Sequence, residues 1–281
     1  MFTCQAAAAS TPSDWGVDIA NDRVEQVRNH LALGEDPNAV DAEGQPAIMQ
    51  AIQDGAWKVY DLLVRHRKIN VNAVNGHNET PLMYLSVIGQ TKRAADLIAK
   101  GAEVNRLGWA PLHYAASKGH LETVKLLLAN KAMVNAPSPD GTSPLMMAAY
   151  SGSEEVVRAL LNAGADATAR NLRGEDAADW ARRKNHNQLA AQLDDLTDRV
   201  LRSRAARAAG SGAAASATTP AGADPSGQIH MLDTTKGALP DAVQRREQAQ
   251  PQADGSSQAA EDSGSTSRYF DLDRFDREDG Y

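Results

Sequence analysis

The sequence predicts an all-α fold, a solenoid of stacked helix-turn-helix units with short hairpin loops, followed by a disordered tail. A short motif recurs with its second residue at Pro81, Pro111, Pro144 and Ala177, at spacings of 30, 33 and 33 residues. Apolar residues follow each copy at helical spacing. This periodicity is lost near residue 208, where Ala, Ser, Gly, Pro and Gln take over.

The stretch from Ala110 to Asn135 contains one complete unit. Pro111 lies at a turn that opens a first helix, and Gly119 ends that helix. The apolar stripe of a second helix is formed by Leu121, Val124, Leu127 and Leu128. Because such a unit has apolar residues on more than one side, it cannot bury them alone, and we expect neighbouring units to stack.

The heading A-P-L-H at residues 110–113 and the 33-residue period resemble the ankyrin repeat, which begins T-P-L-H-x-A. Two further headings are T-P-L at 80–82 and S-P-L at 143–145. The chain resembles small bacterial-type ankyrin-repeat proteins. The resemblance implies an ankyrin-repeat domain over residues 12–207, with about six repeats of which the terminal ones act as caps.

The first repeat, residues 12–38, is degenerate. Asp14 is its expected N-cap, and Trp15, Ile19 and Val24 supply an apolar stripe. A terminal repeat has one face without a neighbour, so a more polar composition is expected there.

The second repeat is headed by Pro46 and Ala47, and its second helix is predicted over residues 57–65. Arg67 then takes the place of the glycine that ends this helix in other repeats, and the segment is one residue longer. Because a left-handed C-cap is unfavourable without glycine, we expect a bulged loop.

The connection into the fourth repeat is short. Asn105 and Pro111 are 6 positions apart, whereas Asn135 and Pro144 are 9 apart. The projecting hairpin, or finger, should therefore be clipped there, with Trp109 near its base.

The sixth repeat begins at Glu175, and its polar residues 182–185 indicate a C-terminal cap whose last helix is predicted to reach about Arg207. Residues 208–281 are predicted to be a disordered low-complexity tail, because they cannot bury enough apolar surface to offset the entropy of ordering. The segment 266–281 mixes aromatic and charged residues. It is either a solvated tail or a segment that folds on a partner or on this protein's own groove.

Residues 1–11 are predicted to be a flexible N-terminus or the remnant of an export signal. They lack a basic start and a long apolar segment, but an Ala-rich stretch precedes Ser10-Thr11-Pro12. The compartment is cytoplasmic for the sequence as written and periplasmic if the gene start lies further upstream.

Composition excludes several classes of function. The formal net charge of −7 argues against general nucleic-acid binding, which needs a basic stripe. The single cysteine, Cys4, excludes an internal disulfide and a Cys-rich metal site. The sequence contains no membrane-spanning apolar run of about 18 residues and no phosphate-binding G-x-x-x-x-G-K-[ST] loop. We find no converging nucleophile or acid-base pair, so we predict no catalytic residues, cofactor or metal.

Two histidines need an explanation of their own. By resemblance, His113 in the heading turn and His120 after Gly119 form hydrogen bonds that brace adjacent turns. The alternative is a metal pair, for which no third ligand has suitable spacing.

The remaining candidate activity is binding. The resemblance implies contacts from the finger tips and from the exposed side of the first helices, a surface that we call the finger face. The predicted partner-binding residues on it are Val87, Ile88, Trp109, Ser117, Lys118, Asp140, Thr142, Tyr150, Ser151, Arg183 and Lys184. Further members of this face are Glu43, Gln45, Gln53, Asp54, His77, Glu79 and Arg173. Val87, Ile88, Trp109 and Tyr150 are expected to form its apolar centre.

The leading hypothesis is a monomeric, non-catalytic scaffold that binds another protein through the concave face of the stack. One alternative is a metal-dependent or enzymatic regulator that uses His113 and His120. Another is a structural module whose groove is occupied by its own C-terminal tail.

Overall fold

The computed structural model describes residues 12–215, with side chains over 14–209. The described chain consists of six helix pairs, which confirms the predicted all-helical repeat architecture. The helices are α1 Pro12–Ala20, α2 Val24–Ala32, α3 Ala47–Gln53, α4 Trp57–Arg65, α5 Pro81–Val87, α6 Thr91–Ala99, α7 Pro111–Ser117, α8 Leu121–Ala129, α9 Pro144–Ser151, α10 Glu154–Asn162, α11 Ala177–Arg183 and α12 Asn187–Ala215. The expectations for residues 1–11 and for the tail beyond 215, including 266–281, lie outside the described residues.

Three of the six first helices, α5, α9 and α11, start at a residue whose side chain caps the helix. The Oγ1 atom of Thr80 accepts a hydrogen bond from the backbone N–H of Met83 at 3.4 Å, and Ser143 caps α9 in the same way. Asp176 caps α11 by accepting from the N–H of Asp179 at 3.1 Å. Each cap satisfies a backbone donor that has no partner within its own helix.

Glycines with positive φ form the tight turn between the two helices of a pair. Gly89, Gly119 and Gly152 have φ values of +70°, +73° and +74°. A side chain of the following repeat packs directly against two of these backbones, His120 on Gly89 and His186 on Gly152. Glycine is therefore required twice over, for the left-handed turn and for the close approach of the ring.

Equivalent apolar residues of successive repeats form one continuous core. The seventh residue of the second helix is a buried leucine in five successive repeats, at Leu63, Leu97, Leu127, Leu160 and Leu193. The second residue of the first helix is buried in the same five repeats, at Ile48, Leu82, Leu112, Leu145 and Ala178. Because these side chains contact neighbouring units, each repeat completes the core of the next.

Asparagines connect the loops that follow the second helices. Asn105 donates from Nδ2 to the carbonyl of Lys131 at 2.9 Å, and its Oδ1 accepts from the N–H of Met133 at 2.8 Å. Asn38, Asn72 and Asn135 each make the same pair of bonds to the following loop. This asparagine ladder links five successive loops.

Three boundaries bear on the sequence predictions. Asp14 lies in the first turn of α1 and does not cap it, because the helix already begins at Pro12. The last helix, α12, continues to Ala215, beyond the predicted end near residue 207. At the end of α4, His66 is extended with ψ 133°, so the chain leaves the helix without the left-handed turn made by Gly101 and Gly164. The expected absence of a left-handed cap at Arg67 is thus confirmed, while the bulged loop stays a prediction.

Among the residues that the structure describes, none of the helices is both long and apolar enough to cross a lipid bilayer.

Candidate protein-interaction surface

The fingers are tight turns held by side chains. In the finger before α5, Oδ1 of Asn75 accepts from the N–H groups of His77 and Glu79, each at 3.0 Å. Asn171 makes the same two bonds before α11. An acceptor side chain that replaces a backbone carbonyl in this way fixes the shape of the turn.

The finger before α7 is clipped, as its length predicted. Gly108 turns the chain with φ +83°, and Trp109 follows at the base of the finger, where its side chain is half-buried. The Trp109 ring packs edge-on against the His113 ring, with 5.3 Å between centroids. A separate small cluster forms beside it, in which Ile88 and Trp109 cover buried residues of α5 and α7.

A buried carboxylate lies beneath the third and fourth repeats. The sequence analysis placed Glu79 on the finger face, but its side chain is only 7% exposed, so that prediction is wrong. Glu79 instead supports the finger face from beneath. Its oxygens accept hydrogen bonds from the hydroxyls of Tyr84 at 3.3 Å and Tyr114 at 3.0 Å and from Nδ2 of Asn75 at 2.8 Å. Three donors satisfy a carboxylate that would otherwise be costly to bury.

Sequence reasoning missed this network, although one signal was present. Tyr84 and Tyr114 both occupy the fourth position of a first helix, in adjacent repeats. Equivalent positions of stacked repeats lie side by side, so two tyrosines there can share one acceptor.

The fifth and sixth repeats together form a group of aromatic and cationic side chains. The rings of Tyr150 and Trp180 meet at 5.8 Å between centroids. Nζ of Lys184 lies 4.6 Å from the centre of the Tyr150 ring, and Cζ of Arg183 lies 4.7 Å from that of Trp180. Arg183 also pairs with Glu175. A cation over an aromatic face is attracted by the negative quadrupole of the ring.

Glu175 is held ionised in this group. Burial raises its pKa, but hydrogen bonds from Asn171 and Arg173 and the positive charge of Arg183 outweigh burial, so the pKa of Glu175 is lowered. Arg173 donates from Nε to the same carboxylate at 3.0 Å. Both arginines therefore belong to one network with this carboxylate.

The structure divides the predicted partner-binding residues by accessibility. Val87 is 1% exposed, Ser117 4% and Thr142 0%, so these three side chains cannot touch a partner. Half-buried or exposed side chains are those of Ile88, Trp109, Lys118, Asp140, Tyr150, Ser151, Arg183 and Lys184. Their role in binding stays a prediction.

The expected apolar centre is accordingly smaller. Val87 packs inside with Met83 and Tyr114, which leaves Ile88 and Trp109 on one side and Tyr150 on the other.

Both histidines brace the repeats, as predicted. Nδ1 of His113 accepts from the N–H of Ala110 at 3.2 Å, which leaves Nε2 to donate to the carbonyl of Thr142 at 3.1 Å. Nε2 of His120 bonds the carbonyl of Val87 at 2.9 Å. The two rings thus contact opposite neighbouring repeats. Within the described residues, no group of three or more His, Cys, Asp or Glu is arranged to hold a metal ion.

Burial lowers the pKa of His113 to about 4 and outweighs the hydrogen bonds to Thr142, Ala136 and Ala110. The neutral ring is the form that both of its bonds require.

The finger face has an acidic end. A cleft of about 400 Å³ lies at the second and third repeats, and its lining includes Asp41, Glu43, Gln45, Asp54 and His77. A larger cleft of about 600 Å³ lies elsewhere, between the loops around Asp36 and Arg67. We relate that larger cleft to the extended end of α4, because His66, Arg67 and Lys68 line it.

Stacked helix pairs with projecting fingers and a core shared between neighbours define a repeat solenoid. Residues 89–171 match the family model described as ankyrin repeats, in three copies. The six helix pairs extend this unit on both sides of the match. The chain therefore contains ankyrin repeats.

Several known proteins are similar to part of this chain. Human Rabankyrin-5 is 33% identical over 159 residues, which are 54% of this chain and 13% of that protein. Chicken nuclear factor NF-kappa-B p105 subunit is 28% identical over 161 residues, 55% of this chain and 16% of the relative. Rat ankyrin repeat and SAM domain-containing protein 6 is 29% identical over 143 residues, 51% of this chain and 13% of the relative. The chain thus spans roughly an eighth to a sixth of the length of these relatives.

These relatives are animal proteins, so they lend no support to a bacterial type. Ankyrin repeats are in general modules for protein–protein interaction and are in general not enzymes.

Proposed function

We propose that this protein binds another protein through the finger face, the side of the stack expected to be concave. The contact is centred on the central patch, which we define as Trp109, Lys118, Tyr150, Ser151, Arg183 and Lys184. No catalytic step is part of the proposal.

One observation carries it. The eighth position of successive repeats, counted from the start of the first helix, is occupied by Asp54, Ile88, Lys118, Ser151 and Lys184. These side chains are half-buried or exposed, and they differ in charge and size. The leucines buried at the seventh position of the second helices are identical in the same repeats. A uniform scaffold that displays a varied row of side chains is the arrangement by which a repeat protein recognises a specific partner.

The distribution of aromatic groups supports the placement of the centre. Trp109 and Tyr150 are half-buried aromatic side chains with polar neighbours around them. Partly buried aromatic anchors surrounded by a polar rim concentrate binding energy in protein interfaces.

The test is capture of a partner from a lysate of the source organism by the immobilised full chain. Truncating both anchors, Trp109→Ala with Tyr150→Ala, should reduce capture at least tenfold, because hot-spot truncations cost about 2 kcal/mol or more. Helical circular dichroism should remain, because both side chains lie at the edge of the core.

Trp57→Ala provides the matched control. Trp57 is also half-buried and carries a cation, with Arg93 Cζ 4.3 Å from its ring centre, but it lies on a second helix. Full capture by the double variant, or equal loss by Trp57→Ala, would refute the central patch as the binding site.

A further inference from the structure

We propose that residues 266–281 of the same chain dock on the central patch and compete with the partner there. This inference rests on the proposed function, since it concerns regulation of the same surface. The segment lies outside the described residues.

The patch presents cations next to aromatic faces. Lys118, Arg183 and Lys184 each carry a positive charge, and Arg183 pairs with Glu175. Tyr150 and Trp109 supply half-buried aromatic faces. Such a surface fits a ligand that offers carboxylates and aromatic rings within a short stretch.

The segment has that composition. Residues 266–281, T-S-R-Y-F-D-L-D-R-F-D-R-E-D-G-Y, contain five acidic residues and three arginines, for a formal charge of −2. They also contain four aromatic residues, Tyr269, Phe270, Phe275 and Tyr281. The carboxylates of Asp271, Asp273 and Asp276 lie between these rings, so one short stretch supplies both kinds of contact.

Charge also determines at which end of the finger face the segment would dock. The cleft at the second and third repeats is lined by Asp41, Glu43 and Asp54, which repel a net acidic segment. The central patch attracts it. The difference in sign between the two ends therefore favours the fourth to sixth repeats.

The linker is long enough. Residues 216–265 are rich in Ala, Gly, Ser, Pro and Gln, and a flexible chain of about 50 residues has a root-mean-square span of roughly 40 Å. The linker starts at Ala215, the end of the 29-residue helix α12, which is about 44 Å long at 1.5 Å per residue. The fourth and sixth repeats are two packing steps, or about 20 Å, apart. The distance to be covered is therefore comparable with the span of the linker. A tether of this kind gives the segment an effective concentration of about a millimolar, so a weak intramolecular contact suffices.

Hydroxyl-radical footprinting of the full-length protein tests the proposal directly, because it reads the accessibility of individual Trp and Tyr side chains. Neutralising the segment, with Asp271, Asp273 and Asp276 each changed to Asn, should raise the oxidation rates of Trp109 and Tyr150 severalfold. The rate at Trp57, on another face, should stay constant. Reversing the patch, with Lys118→Glu and Lys184→Glu, should give the same increase.

A charge exchange separates docking from a change in the patch itself. Combining the reversed patch with Asp271→Lys, Asp273→Lys and Asp276→Lys should restore the low oxidation rates at Trp109 and Tyr150. As a control, Lys125→Glu on α8 should leave the wild-type rates unchanged. Unaltered rates in the Asn variant, no rescue by the exchange, or new protection at the acidic cleft would each overturn the proposal. Protection that grows with protein concentration would also overturn it, because a second copy would then be the occupant.

Partner capture distinguishes this proposal from the proposed function. If the segment competes with the partner, the Asn variant should capture severalfold more partner than the wild type. Unchanged capture by the Asn variant would refute competition between the segment and the partner but would not affect the proposed binding site. The binding site itself is tested only by the variant with Trp109→Ala and Tyr150→Ala.

Discussion

At the scale of single residues, His113 joins the fourth repeat to the fifth. Its ring is fully buried, and both nitrogens bond backbone groups, one in its own turn and one in the next finger. Only the neutral ring with the proton on Nε2 can make both bonds. The lowered pKa of His113, about 4, therefore links the stability of the stack to pH.

We expect acid to destabilise the protein through His113. In the unfolded chain this ring gains a proton below its ordinary pKa near 6.5, whereas in the folded protein it stays neutral until about pH 4. Stability should be full above pH 6.5 and fall towards pH 4, by about 2 kcal/mol between pH 7 and 5 from this residue alone. Urea unfolding at both pH values measures the difference.

His113→Gln should be less stable at pH 7 but should lose about 2 kcal/mol less on acidification than the wild type does. His77→Gln, at an exposed side chain, should keep the wild-type difference. An unchanged pH difference in His113→Gln would contradict the assignment.

Two glycines permit a matched comparison of strain with contact. Gly152 and Gly164 both have positive φ, +74° and +94°, but a Cβ at Gly152 would collide with the ring of His186 while one at Gly164 would meet nothing within 4 Å. Alanine at either site costs about 1–2 kcal/mol for the left-handed backbone. Gly152→Ala should cost more than that in thermal or urea unfolding, and equal losses would show that the His186 contact is unimportant.

The sequence predicted which side chains contact an adjacent repeat better than it predicted how deeply each side chain is buried. His113 and His120 were identified as braces because their positions in the heading and after Gly119 determine which backbone they meet. Val87, Ser117 and Thr142 were expected at the surface but are buried. A helical period identifies one side of a helix, whereas depth depends on the side chains of the next repeat, which local spacing does not reveal.

At the scale of elements, the loops are joined more regularly than the fingers. The asparagine ladder runs through five loops with the same two bonds at every step. The fingers differ in length and capping residue, and the one before α7 is clipped. The invariant side of the stack thus maintains the spacing of the repeats, while the variable side offers the chemistry.

Asn105→Asp should uncouple two loops. In the wild type, Nδ2 of Asn105 lies 2.9 Å from the carbonyl oxygen of Lys131. The change puts an oxygen in place of this donor, so two acceptors face each other. Losing a hydrogen bond and opposing two acceptors should cost about 1–3 kcal/mol in urea unfolding. Asn29→Asp on the exposed side of α2 should cost little. Similar losses for the two variants would argue against a structural role for the ladder.

Element boundaries were predictable where a local signal fixed them. The helix α4 spans Trp57–Arg65 as predicted, and the clipped finger followed from counting residues between Asn105 and Pro111. The start of α1 and the end of α12 were not fixed by such signals. Asp14 suits a cap by residue type alone, and the chain after residue 200 keeps enough Ala and Arg to continue a helix without an apolar stripe.

At the scale of the whole molecule, the repeat period made the fold predictable. Each unit buries its apolar residues only against its neighbours, so one period implies similar packing at the five interfaces between six repeats. The binding surface was predictable only as a set of equivalent positions. The Glu79 network and the cation–aromatic group around Tyr150 each combine side chains of different repeats, and no single repeat contains their pattern.

The most direct test of the account is to locate the bound partner with a photo-reactive amino acid placed at single positions of the full-length protein. We expect covalent adducts with the captured partner from positions 118 and 184 on the finger face. Positions 125 and 158 are exposed on the second helices and should give none. Adducts from 125 and 158, with none from 118 and 184, would contradict the central claim that the finger face is the binding surface.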